Sequence, residues 1–275
     1  MNFSVLMSVY NRDKASYLNL ALESLLNQSV RPSEIVLIKD GPLTSSLEQC
    51  LRMYQQRCPG LFKIVSLEIN KGLGAALHKG LQYCSNSLIA RMDADDQCYF
   101  HRFEKQLAVM RADPAVAVLG TSIEEFRQHP GDLKQYRRLP QNSEDIRQYA
   151  RYRNPMNHPS VMFRKEAVLA VGSYQDMPLF EDYYLWVRLL LAGYKFQNLP
   201  DTLLYFRIGN DMIGRRSGIQ YVKKEYHFLK SIKQLGFINQ KEYFISLFTK
   251  QPLRLLPKRI LVYLYKFLLR KRKGY

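Results

Sequence analysis

From Asn2 to about Leu119 the chain alternates short, β-rich apolar runs with longer segments of helical period. This alternation restricts the fold more than any other feature, because it is the pattern of parallel strands joined by helices that cover the sheet. Strands are expected at Phe3 to Val9, Ile35 to Ile38, Lys63 to Leu67, Ser87 to Met92 and Ala115 to Leu119. Between them, apolar stripes repeat at helical spacing: Leu18, Leu22, Leu25 and Leu26; Leu47, Leu51 and Tyr54; Leu73, Ala76, Leu77 and Leu81. Beyond Leu119 the pattern loosens, with a turn cluster at His129-Pro130-Gly131-Asp132, a strand expected at Ser160 to Phe163 and helical spacing over Tyr183 to Leu191. From Ile213 onward the segments read as helical and basic, broken by Pro252 and Pro257. At 275 residues, 47% hydrophobic and 24% charged, the chain has room for one large α/β domain with an appendage. A disordered tail and a disulfide-stapled miniprotein are excluded.

Three strands feed into polar loops: Asn11-Arg12-Asp13, Asp40-Gly41-Pro42 and Asp93-Ala94-Asp95-Asp96. In open parallel sheets ligands sit beyond the carboxyl ends of the strands, so these loops face one crevice. The last loop is the most informative, an apolar strand delivering three carboxylates within four positions. Carboxylates this close raise one another's pKa unless something positive neutralises them. A solvated turn capping a helix near Tyr99 would accommodate them. So would a hard divalent ion shared with substrate phosphates. Position after a buried strand, beside two other polar loops, favours the ion and a nucleotide.

Five motifs follow in order: Ser8-Val9-Tyr10-Asn11, Ile38-Lys39-Asp40-Gly41, Asn70-Lys71-Gly72-Leu73-Gly74-Ala75-Ala76, Asp93-Ala94-Asp95-Asp96 and Glu181-Asp182-Tyr183-Tyr184-Leu185-Trp186. The series resembles the family 2 glycosyltransferases, inverting enzymes of the GT-A fold that use nucleotide-diphosphate sugars. The resemblance implies a Rossmann-like mixed α/β sheet flanked by helices, with a catalytic domain over residues 1–211 and a basic helical extension over 212–275. Residues 1–119 would carry the nucleotide-sugar site and 120–211 the acceptor site. It further implies that Tyr10 and Asn11 line the uridine site, with Asp40 on the base and Asp93 on the ribose, and that Lys71, Gly72 and Arg91 belong to the UDP-sugar site. Lys39 stands where the family commonly has an acid. Asp95 becomes the metal ligand, Asp96 a second ligand or a supporting group, and His158 a further metal ligand or a residue near the acceptor. The ion, Mn2+ or Mg2+, would act as Lewis acid for the departing diphosphate. Gly72 and Gly74 do not complete G-x-G-x-x-G, because Leu77 holds the last position, and a dinucleotide fold is disfavoured.

Inversion needs a general base for the acceptor hydroxyl. Glu181 and Asp182 open a helix beside the crevice, and either suits that role. The resemblance assigns it to Asp182, with Glu181 orienting it or touching the acceptor. Tyr183 and Trp186 are candidates to stack on the acceptor sugar, a role that competes with core packing at their helical spacing. Arg207, Arg215 and Arg216 lie in a glycine-flexed stretch and suit bidentate contact with the diphosphate.

Charge is distributed unevenly. Of 41 basic and 24 acidic residues, 16 basic and only 2 acidic lie within 212–275, so a net charge of +14 sits in the last quarter against +3 before it. Pro252 to Tyr275 has eight basic residues and no acid, interleaved with leucines and Phe267. A basic amphipathic helix of this kind lies on an anionic bilayer surface. The apolar run Ile260 to Leu269 includes Lys266 and is far short of the roughly 20 residues that span a bilayer. No groove-reading or base-stacking motif accompanies the charge, which argues against nucleic acid. The four cysteines form no C-x-x-C pair and fit reduced thiols of a cytosolic protein, and the N-terminus reads as a first strand, not a signal peptide.

The motif arrangement is similar to that of bacterial O-antigen and exopolysaccharide galactosyltransferases. The resemblance implies a peripheral enzyme at the inner face of the cytoplasmic membrane. It would add one hexose, galactose from UDP-galactose in β linkage, to GlcNAc-diphosphoundecaprenol. Trp186 is the only tryptophan, so the Q-x-x-R-W element of processive members is absent. Transfer of another UDP-hexose is the nearest alternative, and a non-catalytic membrane or nucleic-acid binding module on the same scaffold is the alternative from a different class. A nucleotidyltransferase would carry a glycine-rich loop after the first strand, and Ser8 to Asp13 contains no glycine.

Overall fold

Alternate side chains of the first strand, β1 (Ser4–Val9), enter two different cores. Val5, Met7 and Val9 pack with the apolar stripes of α1 (Ala15–Leu26), α2 (Ser45–Arg57) and α4 (Arg102–Ala112). Leu6 packs on the opposite face, with α3 (Leu73–Tyr83) and α7 (Glu181–Leu191). A strand covered on both faces must be apolar throughout, which is why β1 and β2 (Glu34–Lys39) read as nearly continuous hydrophobic runs. The computed structural model describes residues 2–209 and 217–255.

One nine-stranded mixed sheet runs through the molecule. Its parallel half is β3 (Phe62–Ser66), β2, β1 and β4 (Leu88–Arg91). The sheet continues through β8 (Met162–Arg164), which is antiparallel to β4 and to β6 (Val116–Phe126). β9 (Lys195–Arg207) runs parallel to β6 and pairs with the short β5 (Gln97–Cys98), while β7 (Gln135–Arg137) pairs with β6. Two short helices, α5 (Ser143–Tyr149) and α6 (Lys165–Ala170), complete this half.

The expected strands of the parallel half lie within a residue or so of those observed. Elsewhere the structure corrects the reading. The strand expected to end at Leu119 runs on to Phe126, and the strand expected from Ser160 begins as a single 3-10 turn, His158–Ser160, before β8. Pro252 does not break the chain but lies inside α9 (Gln240–Leu255), which forgoes one backbone bond there. α8 (Ile219–Gln234) packs directly on α7: the Phe228 ring stacks 4.8 Å from Phe180 and lies 4.6 Å from Tyr183. Among the described residues, no helix is long and apolar enough to cross a membrane. Pro257 and nearly all of the basic tail lie outside the described residues.

Candidate active site

Because β1, β2 and β4 are parallel, the loops that leave them open at the same edge of the sheet. After β4 the chain turns through Asp93, Asp95 and Asp96, each of which offers one carboxylate oxygen within 4.8 Å of those of the other two. Asp96 is fully buried. Its Oδ1 accepts the Arg207 backbone N–H at 2.8 Å, while Oδ2 has no protein partner. Burial, and next the charges of Asp95 and Asp93, push its pKa well above the usual carboxylate range. These acids do not cap a helix, since α4 starts only at Arg102 with His101 as its N-cap. Three hard oxygen donors and an orphaned buried carboxylate oxygen fit a divalent cation.

Arg207 holds this loop in place. Its side chain donates to the Asp95 carbonyl at 2.9 Å and the Arg127 carbonyl at 3.0 Å, and it lies over the rings of Tyr17 and Phe126. Through Nε and Nη1 the guanidinium is buried among backbone carbonyls and ties β9 to the acidic loop, while Nη2, expected to reach a diphosphate, has no protein partner. Arg215 and Arg216 lie outside the described residues.

At the end of β2, Asp40 is buried and both of its carboxylate oxygens accept backbone N–H groups, from Lys71 at 2.7 Å and Gly72 at 3.0 Å. The Asp40 carboxylate thus fixes the entry to α3, and each oxygen keeps a second lone pair. Gly41 follows at φ +86°, and a Cβ there would meet the Asn70 amide nitrogen at 2.7 Å. Only glycine fits that approach. The Lys71 and Asn11 side chains are exposed at this rim, and Tyr10 is half-buried with its N–H on the Asp13 carboxylate at 3.0 Å.

Behind the acidic loop lies a buried polar group. Arg91, fully buried, pairs with Asp93 through Nη2, and its Nε and Nη1 have no protein partner. His158 is also buried, its Nε2 2.9 Å from the Tyr174 hydroxyl. Burial first, then the nearby Arg91 charge, holds His158 well below its ordinary pKa, so the ring is neutral. It does not join the three-carboxylate cluster, which corrects its expected place as a metal ligand. Tyr174 was not legible in the sequence, since nothing in its setting after Gly172-Ser173 distinguishes it from a turn residue. Its hydroxyl, pushed upward in pKa mainly by burial, feels the charges of Arg91, Asp182, Asp93 and Glu181. Asp93 of the acidic loop and the acids that start α7 therefore lie within electrostatic reach of one buried hydroxyl.

Glu181 and Asp182 form the first turn of α7. Asp182 accepts from the Asn154 amide at 2.6 Å and from the Tyr183 backbone N–H at 2.7 Å. Burial, and to a lesser degree the neighbouring Asp182, raise the Glu181 carboxyl to about 7, while Lys224 on α8 pulls it down. The preceding Leu179 adopts φ +74°, a strained conformation for a branched side chain. Trp186 and Tyr183, expected to face an acceptor, are core residues instead. The Trp186 indole is completely buried between His158 and Phe196, and the Tyr183 hydroxyl is spent on the Ala150 carbonyl at 2.7 Å. Neither ring presents a face to solvent.

A mixed sheet of this order with an acidic loop at the end of its fourth strand defines a GT-A glycosyltransferase. The family model described as "Glycosyl transferase family 2" matches residues 4–172, and the chain belongs to that family. It is 42% identical over 275 residues to the amylovoran biosynthesis glycosyltransferase AmsE of Erwinia amylovora, covering 99% of this chain and 100% of that one. It is 35% identical over 273 residues to the UDP-Gal:alpha-D-GlcNAc-diphosphoundecaprenol beta-1,3-galactosyltransferase of Escherichia coli, covering 98% and 97% of the two chains. Among solved structures, S. aureus TarS 1–349 in complex with UDP-GlcNAc superposes with a TM-score of 0.67 at 16% identity, over 97% of this chain and 73% of that one. The last likeness concerns the fold alone.

Proposed function

We propose that the chain is an inverting, metal-dependent glycosyltransferase of bacterial surface-polysaccharide assembly. It moves one hexose, galactose from UDP-galactose, in β linkage onto GlcNAc-diphosphoundecaprenol. The observation that carries this reading is the Asp93-Asp95-Asp96 cluster at the carboxyl edge of the parallel strands, with Asp93 and the Glu181-Asp182 pair both within electrostatic reach of the Tyr174 hydroxyl. A donor held by the first set meets an acceptor held at the second. The name of the E. coli relative supports the choice of donor and acceptor.

In this reading Asp182 takes the proton from the acceptor hydroxyl as its oxygen attacks the anomeric carbon and the nucleoside diphosphate departs from the opposite face. Asn154 keeps the Asp182 carboxylate aimed, and Glu181 orients the acceptor beside it. Asp40, with Tyr10 and Asn11, holds the uracil side, and Asp93, braced by Arg91, takes the ribose. Lys71 and Gly72 stand beside the sugar nucleotide. Asp95 and Asp96 hold Mn2+ or Mg2+, which when bound neutralises charge on the leaving diphosphate. Residues 1–119 then serve the donor, 120–211 the acceptor, and 212–275 attachment to the inner face of the cytoplasmic membrane.

The test is a donor screen by mass spectrometry on a synthetic GlcNAc-diphosphate lipid. UDP-galactose with Mn2+ gives a product heavier by one hexose, and chelator removes it. Product from UDP-glucose or UDP-GlcNAc alone reassigns the donor, and no product from any sugar nucleotide overturns the reading.

A further inference from the structure

Gln220, Lys223, Lys224 and His227 recur at helical spacing and line one face of α8. That face meets Met177 and Pro178, in the loop before α7, across a cleft of about 210 Å³. Both lysines are exposed. Among the described residues, no carboxylate lies within ion-pairing distance of either one. Two adjacent ammonium groups at a concave surface without counter-ions attract an anion, because neighbouring low-dielectric walls focus their field.

The cleft also has a defined position relative to the chemistry. Met177 and Pro178, which wall it, lead directly into the first turn of α7, and the Lys224 charge is near enough to favour ionised Glu181. The donor diphosphate belongs at the three carboxylates with their cation, none of which lines this cleft. A second diphosphate in the same active site needs cations of its own. The α8 face supplies them.

Resting on the acceptor reading above, we infer that this cleft is the subsite for the acceptor's diphosphate, with Lys223 and Lys224 as its counter-ions. His227 and Gln220 add donors along the same face, and Met177 and Pro178 form an apolar wall for the first carbons of the lipid. The sugar attached to that diphosphate then extends toward Glu181 and Asp182. The recognised chemistry is a compact dianion with a hydrocarbon substituent, not phosphate in general.

The experiment uses the full chain with excess UDP and Mn2+, titrated calorimetrically with geranyl diphosphate, which carries the anion and a short lipid but no sugar. The wild type binds it. K223E/K224E weakens binding by at least about tenfold, as expected for loss of two charge-assisted contacts, while K223R/K224R retains it. Because both lysines are exposed, thermal melts of all three proteins coincide. In transfer assays K223E/K224E raises the acceptor KM and leaves the donor KM unchanged. Equal binding by K223E/K224E, or no binding by the wild type, overturns the subsite, as does displacement of geranyl diphosphate by UDP. Failure of the underlying function looks different: geranyl diphosphate binds through the lysines, yet no GlcNAc-diphosphate lipid accepts a sugar.

Discussion

Gly74 on α3 and Glu181 on α7 approach so closely that a Cβ at position 74 would lie 2.7 Å from the Glu181 Cγ. The second glycine of the Gly72-Leu73-Gly74 stretch is therefore explained by the seat it leaves for a carboxylate. Gly74→Ala should either displace Glu181 or strain the helix contact, at about 1 to 3 kcal/mol for overpacking. Expected is a fall in kcat with the donor KM unchanged, read in steady-state assays beside a thermal melt. A variant with wild-type turnover and stability would show that Glu181 has room to move.

Asp40→Asn is nearly isosteric, yet both oxygens of Asp40 face backbone N–H groups. The amide offers only one acceptor there and turns a donor toward a donor. Loss of about 1 to 3 kcal/mol of stability is expected for the unsatisfied pair. UDP affinity should fall with it, since the entry to α3 loosens. Thermal melts and UDP titrations check both effects.

Metal binding can be read without turnover. A cation that binds the folded chain and not the unfolded one raises Tm, and the rise grows with the logarithm of its concentration once that exceeds Kd. Mn2+ should therefore raise the Tm of the wild type, and of neither Asp95→Ala nor Asp96→Asn. In metal-free buffer Asp96→Asn should match or exceed the wild type, because it removes a buried carboxyl crowded by Asp95 and Asp93. Transfer by Asp95→Ala should be nearly abolished. An equal Tm rise in all three proteins would move the ion elsewhere.

The parallel half of the fold was legible because its strands are buried on both faces and its helices on one, so periodicity maps directly onto burial. In β6, Ser122, Glu124 and Glu125 interrupt the apolar run beyond Leu119, where the expected strand stops, yet all three are buried. Glu124 is sustained there by the Tyr99 hydroxyl at 2.5 Å, a partner distant in sequence. The same blindness explains the site. Acidic motifs mark where chemistry gathers, but Asn154, Tyr174 and the α8 lysines come from segments whose patterns are ordinary. Arg207 was legible only in part: an arginine beside glycines looks like a phosphate ligand, and its backbone acceptors are seen only in the fold.

Asp182→Asn should keep donor binding and cut transfer by about a hundredfold or more, the range for loss of a general base. Glu181→Gln should cost less and change the pH dependence of stability. The folded-state pKa of Glu181, about 7, lies above its ordinary value of 4.5. Between these values the folded state holds more protons than the unfolded one, so this carboxyl's contribution is full below the lower value and is lost as pH rises through 7. Glutamine mimics the protonated form. The Tm of Glu181→Gln should match the wild type near pH 4.5 and exceed it at pH 8. A constant difference across that range would remove the raised pKa.

The described end of α9 sets where the basic tail can be cut. Arg254 approaches the buried Glu225 at 3.5 Å, lies over the Tyr221 ring, and its carbonyl accepts the Gly218 N–H at 2.9 Å. A chain ending before Pro252 therefore strands a buried carboxylate, at about 3 to 5 kcal/mol, and any loss of membrane binding would be confounded by unfolding. A chain ending at Leu255 keeps these contacts and removes seven basic residues and no acid. It should retain UDP binding and its Tm, yet leave anionic phosphatidylglycerol vesicles in a sedimentation assay. Binding by the intact chain should weaken with salt, because headgroup attraction is screened within about 8 Å at physiological ionic strength. The exposed aromatic stripe of α9, Phe244 and Phe248, stays in the shortened chain and can hold a small salt-insensitive fraction. If the Leu255 chain sediments as fully as the intact one, attachment lies on that stripe. If the intact chain itself ignores the vesicles, the tail's charge serves a partner other than lipid.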